Sequence, residues 1–119
     1  MKKFLYSFKY AFNGIAYAFN TQLNFKVHLM ATVLAMCLGF FFQISCGEWL
    51  WIGCAIAMVV VAELFNTAIE MMVDLISPDR NPKAGAIKDV AAAAVLITAI
   101  FALIVGLSIF TPKIFQYVA

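Results

Sequence analysis

Three stretches of this 119-residue chain are long, apolar and nearly free of charge, and they restrict its folding more than any other feature. No charge follows Lys26 until Glu48, which leaves a first candidate span from Val27 to about Ile44. A second runs from Trp49 to about Ile76 and is uncharged through Ala62. The third, Val90–Phe110, has 21 residues and no charge. A helix needs about 20 residues to cross ~30 Å of hydrocarbon. A soluble fold of this length hides only a modest part of its surface, too little for a chain that is 66% hydrophobic and 12% charged. The expected fold class is therefore an all-α membrane protein, one domain over residues 1–119.

The segment before the first span has a different pattern. At 100° per residue, Phe4, Phe8, Phe12, Ile15 and Phe19 fall within an arc of roughly 80°. Lys2, Lys9, Asn13 and Asn20 gather opposite. That distribution predicts an amphipathic surface helix over about residues 2–20, phenylalanines in the acyl region and lysines among the headgroups. A signal peptide would need an unbroken apolar run, which Lys9 and Asn13 interrupt.

Basic residues set the orientation. Lys2, Lys3, Lys9 and Lys26 precede the first span, and Arg80, Lys83 and Lys88 lie between the second and third. The Ser45-Cys46-Gly47-Glu48 segment, expected as a tight turn, has none, and the tail has only Lys113. The positive-inside rule then predicts a cytoplasmic N-terminus and an outside C-terminus. In the loop Ser77–Gly85, Pro78 is expected to end the second span and Gly85 to precede the third.

A net charge of +2 with no basic run excludes nucleic acid as a partner. Cys37, Cys46 and Cys54 read as small hydrophobes rather than a disulfide framework. His28 reads as an interfacial polar residue, and Gln43 as having only a packing role.

The chemistry is concentrated in Glu63, Asn66, Glu70 and Asp74. Their spacing of three, four and four residues places them on one helical stripe roughly 80° wide. Glu63 lies about 21 Å along the helix from Trp49, inside the cytoplasmic third of the hydrocarbon, while Glu70 and Asp74 reach headgroup level. An acid inside the membrane costs at least about 2.5 kcal/mol, so its presence points to function. Lys88 and Asp89 begin the third span at matching depth. Carboxylates at headgroup level suit Mg²⁺, which takes one or two of them together with phosphate oxygens. A lysine beside them suits a γ-phosphate, and a deeper carboxylate suits a hydroxyl that stays in the lipid. These features read as phosphoryl transfer from a water-soluble nucleotide to a membrane-embedded alcohol. Two other readings stay open: a small proton- or cation-translocating subunit using the stripe as a relay, and a non-catalytic protein.

The strings Glu63-Leu-Phe-Asn66-Thr-Ala-Ile-Glu70-x-x-x-Asp74 and Ala-Ile-Lys88-Asp89-Val-Ala-Ala-Ala-Ala-Val-Leu strongly resemble the bacterial integral-membrane diacylglycerol kinase family, which includes undecaprenol kinases. The resemblance extends over nearly the whole chain, including Asn24-Phe25-Lys26-Val27-His28-Leu29. It implies a lipid kinase of the bacterial cytoplasmic (inner) membrane that uses MgATP, with diacylglycerol or undecaprenol as the acceptor. It further implies a homotrimer whose active sites are shared between subunits. By the resemblance, Glu63 is the general base at the substrate hydroxyl and Glu70 a metal ligand. Lys88 contacts phosphate, Asn66 and Asp74 organise the site, and Asp89 adjoins the nucleotide. Lys3, Tyr10, Asp79, Arg80 and Asn81 match positions bordering the nucleotide. One departure is Gln22, which stands where many members carry a second metal-binding glutamate; an amide oxygen ligates Mg²⁺ but brings no charge.

Overall fold

The computed structural model describes residues 1–119 and is entirely helical: α1 (Lys2–Thr21), α2 (Leu23–Phe41), α3 (Cys46–Ile76) and α4 (Pro82–Val118). The last three are long and apolar enough to cross a membrane. Only 15 of 119 residues are buried in the single chain, so most large apolar side chains face outward. Such a surface belongs in lipid or against other copies, not in water.

A single residue separates α1 from α2. Gln22 is extended (φ −115°, ψ 112°), and its N–H donates to the Ala18 carbonyl. Both ends of this joint are anchored, since Ala18 and Phe25 are each 1% exposed. The α2–α3 connection is tighter than a loop. Gln43 N–H donates to the Phe40 carbonyl and Ile44 N–H to the Gly39 carbonyl, the double bond that closes a helix when the intervening residue is left-handed. Gln43, at φ 50° and exposed, fills that position, so its role is in the backbone turn.

The Ser45–Glu48 segment is not the tight turn the sequence suggested. Ser45 caps α3 by accepting from Glu48 N–H, and the Glu48 carboxylate accepts in return from Ser45 N–H. This reciprocal cap satisfies two otherwise free N–H groups and starts the helix at Cys46. The third span also extends beyond the predicted Val90–Phe110. Asn81 Oδ1 accepts from Lys83 N–H and Pro82 occupies the first turn, so α4 begins there and Gly85 lies inside it. Pro at that position removes an N–H that has no helical acceptor anyway. At the other end α4 runs through the exposed Pro112.

The three long helices are antiparallel neighbours. Near one end of the bundle, Ile44, Ile52, Ala55, Val105 and Phe110 form the core. Gly39 lets α2 approach α3, because a Cβ there would meet the Trp49 ring at 2.5 Å. Lys113 on α4 pairs with Glu48 on α3 at 3.2 Å at this same end. Glu63, Glu70 and Asp74 of α3, the start of α4 and the start of α2 lie at the opposite end, with α1 beside them.

Candidate active site

At that opposite end, α3 carries the four polar residues of the stripe in graded exposure. Glu63 is 1% exposed and Asn66 7%, whereas Glu70 is half-buried and Asp74 exposed. The gradient follows from the packing: Glu63 and Asn66 are enclosed between neighbouring helices, whereas Asp74 stays at the surface beside Lys88 of α4.

The buried part of the site is held from within α3 and from α2. Thr67 Oγ1 donates to the Glu63 backbone carbonyl at 2.9 Å. Asn66 Nδ2 donates to Glu70 Oε1 at 3.4 Å, so these two stripe residues orient one another. His28, from the second turn of α2, places Nε2 3.2 Å from Glu63 Oε1. The approach falls short of an aligned hydrogen bond, and Glu63 Oε1 and Asn66 Oδ1 are both buried without a donor. Two unsatisfied acceptors side by side are uncommon in a folded interior.

His28, expected as an interfacial polar residue, is also the neighbour of Glu63. A lone histidine in an apolar helix gives no local signal of a partner 35 positions away; only the packing of α2 on α3 supplies it.

The exposed part of the site is built by α3 and α4. Lys88 Nζ donates to Asp74 Oδ1 at 2.5 Å. Asp89, next along α4, is exposed and unpaired, and so are Asp79 and Arg80 in the connection. Asn81, expected at the nucleotide, spends its side-chain oxygen on the α4 cap. Lys3 and Tyr10 lie on the exposed surface of α1, where Tyr10 stacks on Tyr6. Gln22 is half-buried at the α1–α2 joint. The single chain thus joins Glu63, Asn66, Glu70, Asp74 and Lys88 into one ladder. It does not bring Lys3, Tyr10, Asp79, Arg80 or Asp89 into side-chain contact with it.

Two clefts adjoin the ladder. An apolar groove of about 410 Å³ runs between α2, α3 and α4, with His28 and Val59 at the end nearest Glu63 and Phe110 and Ile114 at the far end. A second, of about 390 Å³, separates α1 from α3, Gly14 and Ala18 facing Thr67 and Met71. The chain alone gathers no set of three acidic, histidine or cysteine side chains around one point. Toward the start of α3, Leu50–Ala62 contains no ionisable side chain apart from the Cys54 thiol, so the ladder ends at Glu63.

Comparison with known proteins gives the site a context. The family model described as prokaryotic diacylglycerol kinase matches residues 9–110. The chain is similar to an undecaprenol kinase of Bacillus subtilis (strain 168), 40% identical over 114 residues that cover 96% of this chain and 93% of that one. It is also similar to a diacylglycerol kinase of Synechocystis sp., 36% identical over 92% of this chain and 63% of the relative. A diacylglycerol kinase of Escherichia coli (strain K12) is 28% identical over 80% of this chain and 78% of its own length.

Proposed function

Since the chain belongs to the prokaryotic diacylglycerol kinase family, and is an ATP-dependent lipid kinase of the membrane, we propose that Glu63 is the base that deprotonates the lipid hydroxyl. The observation that carries this reading is the depth and burial of Glu63, 1% exposed on a membrane-spanning helix. The groove that starts beside it would hold the apolar chain of the acceptor. The hydroxyl proton passes to the Glu63 carboxylate. The lipid oxygen bonds to the γ-phosphorus as the bond to the β,γ-bridging oxygen breaks, leaving ADP and a phosphorylated lipid. Near-full-length similarity to an undecaprenol kinase supports a polyprenol as acceptor, and diacylglycerol is the second acceptor to test.

Lys88, at the water end of the ladder, would contact the phosphates, with Asp74 holding its ammonium in place. Glu70 offers a half-exposed carboxylate with one oxygen already oriented by Asn66. One such carboxylate suits Mg²⁺, which is commonly held by one or two acids plus substrate phosphates rather than by a closed protein cage. Glu70 would thus hold the ion with Gln22 as a neutral second donor, and bound Mg²⁺ neutralises charge on the transferring phosphoryl group.

The remaining candidates, Lys3, Tyr10, Asp79, Arg80, Asn81 and Asp89, would reach the nucleotide across subunit boundaries in a homotrimer. The exposed apolar faces support such an assembly. α1 would lie on the cytoplasmic surface of a bacterial inner membrane through its phenylalanines, with the N-terminus inside and the C-terminus outside.

The test is direct. Purified protein in mixed micelles is given labelled ATP, Mg²⁺ and either undecaprenol or diacylglycerol. Lipid-dependent transfer of label is expected; label in neither lipid refutes the reading.

A further inference from the structure

We propose that His28 is a positioning residue for Glu63, fixing one carboxylate oxygen so that the other faces the lipid hydroxyl. This rests on the lipid-kinase reading with Glu63 as base.

The ladder leaves the Glu63 carboxylate with a single polar side-chain neighbour. Thr67 is within one turn, yet its hydroxyl is bound to the Glu63 backbone carbonyl. Asn66 directs its amide to Glu70 instead. Only His28 Nε2 approaches the carboxylate, at 3.2 Å from Oε1, and it comes from a different helix. A glutamate has three rotatable side-chain bonds, and a base acts well only when its oxygen is held within hydrogen-bond reach of the proton it removes. His28 is thus the one polar side chain within reach that can favour one carboxylate orientation over another.

The surroundings make His28 suitable for the task. Phe25, one turn earlier on α2, is 1% exposed and holds this part of the helix against its neighbours. The His28 side chain is 24% exposed, and it also lines the end of the apolar groove nearest Glu63. The imidazole therefore stands between the base and the space where an acceptor lipid would lie. A rigid ring with a donor at Nε2 holds an oxygen without being consumed in the reaction.

Position and chemistry are separated by three substitutions. His28→Leu keeps volume but removes the nitrogen. His28→Gln carries an amide nitrogen to nearly the place of Nε2. His28→Asn carries it only to the place of Nδ1. With full-length protein in mixed micelles, kcat for lipid phosphorylation is expected to fall about 10²-fold in His28→Leu, the scale on which a small misplacement acts. KM for MgATP should stay within about twofold of the parent. Gln should restore most of kcat and Asn should not. Added to Glu63→Gln, His28→Leu should cause no further loss, because residues acting as a unit are not additive.

Parent-like kcat in His28→Leu overturns the proposal. So does equal recovery by Gln and Asn, or a joint loss of kcat, nucleotide affinity and thermal stability, which marks a mere tie between α2 and α3. If His28→Leu does not fold, the Gln and Asn pair decides alone. The two readings fail separately. An active Glu63→Gln removes the base itself, whereas an inactive Glu63→Gln beside a parent-like His28→Leu removes only the role of His28.

Discussion

Lys88 at the start of α4 and Asp74 near the end of α3 are joined by a 2.5 Å ion pair that closes the water end of the polar ladder. Both side chains are well exposed, so the pair contributes little to stability. Its value lies in where it holds the ammonium. Asp74→Asn is expected to raise KM for ATP severalfold with little change in thermal stability, while Lys88→Met abolishes turnover. A lower KM in Asp74→Asn would show instead that Asp74 competes with phosphate for Lys88.

Glu63 and Glu70 lie two helical turns apart and should fail differently. Glu63→Gln keeps shape but removes the proton acceptor, and loss of a positioned base costs about 10²–10⁴-fold in rate. Nucleotide affinity should survive. Glu70→Gln should weaken Mg²⁺-dependent nucleotide binding. If Glu63→Gln keeps more than about a tenth of turnover, Glu63 is not the base, and Asp74 is the next candidate.

Gln22→Glu adds an anionic oxygen at the α1–α2 joint. It is expected to lower the Mg²⁺ concentration for half-maximal rate. An unmoved Mg²⁺ profile would place Gln22 away from the metal.

The α2–α3 turn makes opposite demands at two positions. Gln43 at φ 50° occupies a conformation that costs a side-chain-bearing residue roughly 1–2 kcal/mol. Gln43→Gly should therefore raise thermal stability in detergent. Gly39→Ala places a methyl against the Trp49 ring, which must then tilt away from Gly39 and Phe40. Overpacking of this kind costs about 1–3 kcal/mol, so the melting temperature should fall and the tryptophan emission should shift.

The orientation is tested with a membrane-impermeant maleimide. Gln116→Cys, in a chain whose Cys37, Cys46 and Cys54 are replaced, should label in intact cells. Labelling only after lysis would reverse the assignment.

The number of helices, their apolar character and the order of acids along α3 are legible in the sequence, because each rests on local spacing. Charge-free length predicts the three spans, and the three-four-four spacing predicts one polar stripe. Helix ends were less legible. The extra residues of α4 come from the Asn81 cap with Pro82, and the start of α3 from the Ser45–Glu48 cap. In both cases side chains satisfied backbone groups that hydropathy does not register.

What only the tertiary structure decided is which stripe residues are dry and what they touch. Glu63 and Asp74 belong to the same pattern, yet one is sealed and the other open, because neighbouring helices enclose the middle of α3 while Asp74 stays at the surface beside Lys88 of α4. The same packing brings His28 from α2 to Glu63 and Lys88 from α4 to Asp74. Neither pairing is encoded by periodicity within a helix. Both depend on the offset at which two antiparallel helices meet, which Gly39 admitting Trp49 and the turn through Gln43 set for α2 on α3, and the 77–81 connection sets for α4 on α3.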